Sequence, residues 1–293
     1  MTEPRIVIGI GAQKAASSWL QVVLGKHPDC HMTRVKGLHY FNKFEPGRAD
    51  RDVELVRRKL GSVAAKRSKG IAEVNGLPID QFASEIEAWA ALTKHDTFDL
   101  DAYRNMLFMN AGDAAVVGEV TPAYSSLSRD ILRLIYSVSP NVRLVYILRD
   151  PVQRLWSAAR MRGRRHVEEA GGERTLAIAT VEAYLAGDVP EYDKRSDYAG
   201  TLANLDAIAP RAHVHLDFFE HLFDGGVDRV FRFLDLAPMD LPEVAPVNAG
   251  LAADLPASLG RAVFDRLSAH YTAAEQYLGD LPEEWKASMR EYG

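Results

Sequence analysis

Cysteine is almost absent from this chain of 293 residues, in which Cys30 stands alone. A single thiol excludes an intrachain disulfide and a multi-cysteine metal cage, so a reducing, cytoplasmic compartment is the expected setting. An excess of basic charge is missing as well. With 35 Lys and Arg against 40 Asp and Glu the net charge is −5, so nucleic acid is not an expected partner and any anion site has to be local. No apolar run approaches the roughly 20 residues of a membrane-spanning helix. The first, Ile6 to Ile10, passes at once into Gly11-Ala12-Gln13-Lys14 with no cleavage site, so neither a membrane span nor a targeting segment is expected. Internal repeats and low-complexity tracts are absent too.

What is present is apolar surface enough for a full core, 47% of the residues. Arg5 to Gly11 is β-branched and apolar without alternation, as in a strand buried on both faces of a parallel sheet. Ala115 to Val120 and Val142 to Leu148 read the same way and end in polar residues; Ala212 to Asp217 is a fourth strand candidate. Helical patterns cover 17–24, 53–60, 81–92, 100–109, 127–138, 152–161, 176–185, 198–208, 227–234 and 258–277. Strands alternating with helices predict βαβ units, an α/β fold with a central parallel sheet flanked by helices. The stretch 43–110 holds helices and no convincing strand, and is expected to be an insertion forming a lid or acceptor wall within one domain spanning 1–293.

After the first strand, Gly11-Ala12-Gln13-Lys14-Ala15-Ala16-Ser17-Ser18-Trp19 gathers small residues around one lysine. Small side chains let backbone N–H groups approach a phosphate, and the N-terminus of the next helix adds about half a positive charge. The lysine precedes the small residues, so this is not a Walker A loop. The plainer alternative is a tight turn with Ser17 as N-cap and Lys14 in solvent. At Leu148-Arg149-Asp150-Pro151 a buried strand breaks into a helix, with Asp150 as N-cap and Pro151 at the first helical position. Arg149 then lies at the strand's C-terminal edge and Ser157 on the helix's second turn, a guanidinium fork and a hydroxyl suited to a phosphate monoester. Arg160, Arg162, Arg164 and Arg165 either face an anion or offset the helix dipole.

Lys14 to Leu20 resembles the 5′-phosphosulfate loop of the sulfotransferase family (Lys-x-Gly-Thr-Thr/Ser-x-Leu). Leu148-Arg149-Asp150-Pro151 with Arg154 and Ser157 resembles its 3′-phosphate motif. Ser196-Asp197-Tyr198-Ala199 and Pro246-Val247-Asn248-Ala249 resemble later family segments. The resemblance implies a P-loop-like fold and a sulfuryl donor, 3′-phosphoadenosine 5′-phosphosulfate (PAPS). Lys14, Ala15, Ala16, Ser17 and Ser18 would hold the phosphosulfate, and Arg149 and Ser157 the 3′-phosphate. Trp19 either stacks the adenine or is a core aromatic. No metal is implied, and the acceptor is a small molecule or a glycan.

Lys36-Gly37-Leu38-His39-Tyr40-Phe41 resembles the Lys-Glu-x-His-Phe-Phe segment of the family's carbohydrate-type branch, where the glutamate is commonly the base that removes the acceptor's proton. Gly37 cannot do so. His39, with an ordinary pKa of about 6.5, is the first candidate base. Glu119, in an element resembling the family's Gly-Glu-Lys-Thr/Ser-Pro-x-Tyr, is the second. Val120 replaces that element's lysine, which argues against a sulfated polysaccharide acceptor. Ala16 replaces the loop glycine and is harmless only at negative φ. Two rivals remain: a small-molecule kinase or nucleotide hydrolase, and a catalytically silent nucleotide-binding module. His213 with His215 suggests zinc only if a third ligand converges. His27 and His31 are expected at the surface or in loops, and Tyr271 and Tyr277 on a C-terminal helix against the sheet.

Overall fold

The computed structural model describes residues 3–46, 51–74, 77–94, 97–165, 172–241 and 254–293. In chain order they form β1 (Arg5–Gly11), α1 (Ser17–Leu24), β2 (Cys30–Met32), a 3₁₀ turn (Tyr40–Phe44), α2 (Arg51–Ser68), β3 (Glu73–Val74), β4 (Leu77–Pro78), α3 (Ile79–Lys94), α4 (Leu100–Phe108) and β5 (Val116–Val120). There follow α5 (Arg129–Tyr136), β6 (Val142–Leu148), α6 (Pro151–Arg165), α7 (Glu173–Ala186), α8 (Glu191–Ser196), α9 (Tyr198–Ile208) and β7 (Val214–Phe218). The short α10 (Phe219–His221), α11 (Val227–Phe233), α12 (Ala257–Leu278) and α13 (Glu283–Tyr292) complete the chain.

Five strands make one parallel sheet in the order β2-β5-β1-β6-β7, and β3 pairs with β4 in a separate two-stranded ribbon. This is the α/β architecture that the alternating pattern predicts, and it matches the P-loop-like fold that the resemblance implies. β1 lies at the centre with helices on both faces, so its apolar residues have no solvent side: Ile6, Val7, Ile8 and Ile10 are all 0% exposed. Each such burial contributes about 1.5–3 kcal/mol. Among the described residues no helix is long and apolar enough to cross a membrane.

Several expectations need correction. β2 is a third strand pair's edge that the sequence reading missed, and the 43–110 segment contains the β3–β4 ribbon as well as helices. α8 and α13 were not anticipated, and α2 runs well beyond 53–60. His27 lies in the loop between α1 and β2, one of the two places expected, yet is buried, its ring meeting the Ala237 carbonyl at 2.9 Å and accepting from Asp29 N; His31, buried in β2, is in neither place. His213 precedes β7 in a 3₁₀ turn and bonds the Tyr136 hydroxyl at 2.7 Å, so it does not share a strand face with His215. Among the described residues no group of three or more His, Cys, Asp or Glu is placed to hold a metal ion. α12 packs chiefly on α9, α6 and α13 rather than on the sheet, and Tyr271 donates to Asp150 at 2.8 Å. The segment 246–249 lies outside the described residues.

Candidate active site

The three chemical stretches leave the sheet side by side. β1, β5 and β6 are parallel neighbours, so the chain after Gly11, Val120 and Leu148 emerges at one edge, the crevice where open α/β sheets bind ligands. Thr121 N donates to Gly9 O at 2.8 Å and Ala12 N to Ile147 O at 2.7 Å, tying the three exits together.

In the loop after β1, Lys14 and Ala16 both take left-handed conformations, with φ of 75° and 55°. For residues bearing a Cβ that costs about 1–2 kcal/mol each. Loops with such turns curl backbone N–H groups toward an anion. Ala16 therefore keeps the backbone shape that a glycine would serve. It is also the N-cap of α1, so Ser17 is the first helical residue and not the cap. Lys14 does not stand alone in solvent: Nζ lies 3.9 Å from Met161 Sδ on α6, one turn beyond Ser157, which is itself 9% exposed.

Arg149 joins the two anion motifs. Its Nη1 donates to the Lys14 carbonyl at 3.0 Å, and its guanidinium lies 4.7 Å over the Phe219 ring. Tyr198 braces its backbone, donating to Arg149 O at 2.8 Å. Burial, then the charge of Arg160, pushes the Arg149 pKa down, opposed by Glu220, Tyr198 and Asp150. Yet among the described residues no carboxylate forms an ion pair with it. A largely buried cation in that state fits an anionic ligand. Asp150 caps α6 by accepting from Gln153 N at 2.8 Å, as expected. Arg154 is fully buried on Ser196 and does not line the crevice. Of the basic run, Arg160 lies against the Trp156 ring near Arg149, whereas Arg162 and Arg164 are exposed.

Trp19 is 8% exposed and meets Phe223 edge-on at 4.7 Å; Phe223 is 53% exposed and lies 5.5 Å from Phe219. An aromatic strip thus runs from Arg149 to Trp19. Phe219, Phe223 and Tyr198 were not picked out as site residues, because their signal is positional: Phe219 follows directly on the C-terminus of β7 and Phe223 lies in the turn after it.

The 33–39 loop is pinned from three elements. Gln21 of α1 donates to Thr33 O at 2.8 Å; Glu85 of α3 accepts from Arg34 N at 3.0 Å; Trp89 of α3 donates to Leu38 O at 2.7 Å. Glu119 of β5 accepts from Leu38 N at 3.3 Å. Glu119 is 0% exposed, and its carboxylate also accepts from Tyr103 at 2.8 Å, Tyr124 at 2.9 Å and Thr121. Burial raises its pKa, and these four donors oppose the rise. Held this way, the loop places Lys36 Nζ on Ser18 Oγ and His39 beside Gly37. Gly37 has φ +66°, and a Cβ there would lie 3.1 Å from His39 Nε2. A side chain at 37 would press on the imidazole by a few tenths of an ångström, and the positive φ favours glycine there. Val120 is 1% exposed and packs over Gly9, hence its replacement of a lysine carries no information on the acceptor.

Comparison by sequence with curated proteins gives no match. Among solved structures, a sulfotransferase from Alicyclobacillus acidocaldarius is similar with a TM-score of 0.63 at 18% identity, covering 98% of this chain and 100% of that one. The sulfotransferase domain of the Synechococcus PCC 7002 olefin synthase is similar with a TM-score of 0.52 at 15% identity, with 96% of each chain covered. Those likenesses speak for the fold. The sequence pattern described as the Sulfotransferase family matches residues 4–218, from the start of β1 to the end of β7, and the chain belongs to that family.

Proposed function

We propose that the sulfuryl donor is PAPS and that the acceptor is a hydroxyl or amine of a small molecule or glycan. The observation that carries this is Arg149: a cation largely out of water, hydrogen-bonded to the Lys14 carbonyl and without a carboxylate ion pair among the described residues. Arg149 and Ser157 bind the 3′-phosphate. Lys14, Ser17 and Ser18, with the backbone of Ala15 and Ala16, hold the 5′-phosphosulfate, and Trp19 meets the adenine.

The acceptor oxygen or nitrogen attacks sulfur in line. Its new bond to sulfur forms as the bond from sulfur to the 5′-phosphate oxygen breaks, and that electron pair leaves with adenosine 3′,5′-bisphosphate. Lys14 donates to the departing bridge oxygen, where charge accumulates. His39 Nε2 takes the acceptor's proton and releases it to water. Asn42 Nδ2 lies 2.8 Å from Nδ1; the flipped amide, with Oδ1 accepting from Nδ1–H, is the arrangement that leaves the lone pair on Nε2. Glu119, sealed beneath two tyrosines, positions the loop rather than accepting the proton.

We read 1–293 as one sulfotransferase domain in which 43–110 walls the acceptor side, a reading supported by the hold of Glu85 and Trp89 on the His39 loop. The lone Cys30, buried and with its thiol pushed up to about 12 by that burial, suits a reducing cytoplasm. The test is binding of adenosine 3′,5′-bisphosphate in preference to adenosine 5′-monophosphate, with the preference lost in Arg149→Ala. Equal binding of the two nucleotides would refute the donor assignment.

A further inference from the structure

We propose that Lys36 is a second cation of the sulfuryl pocket, holding the Ser18 hydroxyl until the donor arrives and then moving to the equatorial oxygens of the sulfuryl group. The inference rests on the reading of the Lys14 loop as the phosphosulfate site, and it goes beyond that reading by giving the protein a means of telling donor from product.

Two independent features place Lys36 there. Its backbone has little freedom, because Thr33 O, Arg34 N, Leu38 N and Leu38 O are each hydrogen-bonded to a side chain of another element. From that fixed base the ammonium reaches Ser18 Oγ, on the second residue of α1, and donates to it. The second feature is charge. Among the described residues no carboxylate forms an ion pair with Lys36, and Lys59 of α2, another cation, acts on it electrostatically. The Lys36 pKa is pushed down, first by the partial burial of its ammonium and then by Lys59, although the residue as a whole is exposed. Lys59 is itself held by the face of Trp89, at 5.9 Å, the residue that pins Leu38. Like charges brought together beside an anion loop are relieved when an anion enters.

The donor brings that anion. Its sulfuryl group carries charge over three oxygens, and Lys14 covers only the bridge side. Lys36, approaching from the His39 loop, is on the acceptor side of Ser18. In transfer Lys36 stays with the moving sulfuryl group, while Lys14 and Arg149 hold the bisphosphate as the bond from sulfur to its bridge oxygen breaks. Adenosine 3′,5′-bisphosphate has every donor feature except the sulfuryl group, so Lys36 should contribute to PAPS binding and not to product binding.

The experiment measures the affinities of PAPS and adenosine 3′,5′-bisphosphate for the wild type, Lys36→Met and Lys36→Arg, with thermal melts to confirm folding. Bisphosphate binding by the wild type, lost in Arg149→Ala, establishes the donor site separately. For Lys36→Met the expected result is PAPS binding weakened about 10- to 100-fold, the range of one charge-assisted hydrogen bond, with bisphosphate affinity within about twofold of wild type. Lys36→Arg should keep most of the preference. Equal weakening of both nucleotides, or no change in either, overturns the proposal while leaving the donor site standing. Absence of bisphosphate binding by the wild type overturns the underlying reading instead.

Discussion

Glu119 and His39 were both candidates for the base, and replacing Glu119 by glutamine separates them. The carboxylate is 0% exposed and accepts from Tyr103, Tyr124, Thr121 and Leu38 N. Alanine would leave those donors unmatched in the core, at about 1–3 kcal/mol for each group that finds no new partner. Since the three hydroxyls can rotate toward one another, a total of about 4 kcal/mol is reasonable. Glutamine is milder. Its oxygen can face Leu38 N while the tyrosine hydroxyls turn to accept from its amide, so only the charge-assisted part is lost, about 1–2 kcal/mol. A base, by contrast, is worth about 10²–10⁴-fold in turnover. The assay pairs urea unfolding with initial rates of sulfuryl transfer at saturating donor. Glu119→Gln should lose stability and keep turnover within about tenfold, whereas His39→Gln should lose about 10²-fold or more in turnover at nearly unchanged stability. If Glu119→Gln loses turnover like a base and no stability, the positioning assignment is wrong.

Two further expectations concern stability. The Asp150 carboxyl is raised from 3.8 to about 6, chiefly by burial, so the folded chain binds its proton more tightly than the unfolded chain. That contribution is complete below pH of about 4 and is lost as pH rises through about 6, at most about 3 kcal/mol. Asp150→Asn keeps the cap and removes the loss. Its melting temperature should exceed that of wild type by about 3–5 °C at pH 7.5, with the gap closing toward pH 4; a gap independent of pH would contradict the burial argument. Ala16→Gly relieves the left-handed strain at φ 55°, offset by the greater backbone entropy of glycine. The expected gain is about 0.5–1 kcal/mol, or about 1–2 °C by calorimetry, and a destabilised variant would show that the methyl group packs usefully.

What was legible in the sequence follows from local physics. β1 and β6 have the bounds expected of them because strands buried on both faces are written as unbroken apolar runs. α9 is likewise bounded as read, with Asp197 accepting from Gly200 N at 2.8 Å. β2 is three residues long and gains its partner only from β5, so no local pattern marks it. His27 and His31 read as surface or loop residues; His27 is in a loop, yet both are buried, His27 against Ala237 far along the chain. The same holds in the site. Lys14, Arg149 and Ser157 stand in motifs at strand ends and were visible. The hold of Glu85 and Trp89 on the His39 loop was not, because it comes from α3 across some fifty residues of chain. Nor was the positive φ of Gly37, which exists only once the loop turns back on itself.

The most direct measurement of the central claim is a calorimetric titration of the protein with adenosine 3′,5′-bisphosphate beside adenosine 5′-monophosphate and ATP, repeated with Arg149→Ala. If Arg149 and Ser157 bind a 3′-phosphate, the bisphosphate binds at least about tenfold more tightly than the monophosphate, as one charge-assisted contact provides, and Arg149→Ala erases the difference. Equal affinities for the bisphosphate and the monophosphate, or a preference that survives Arg149→Ala, would contradict it.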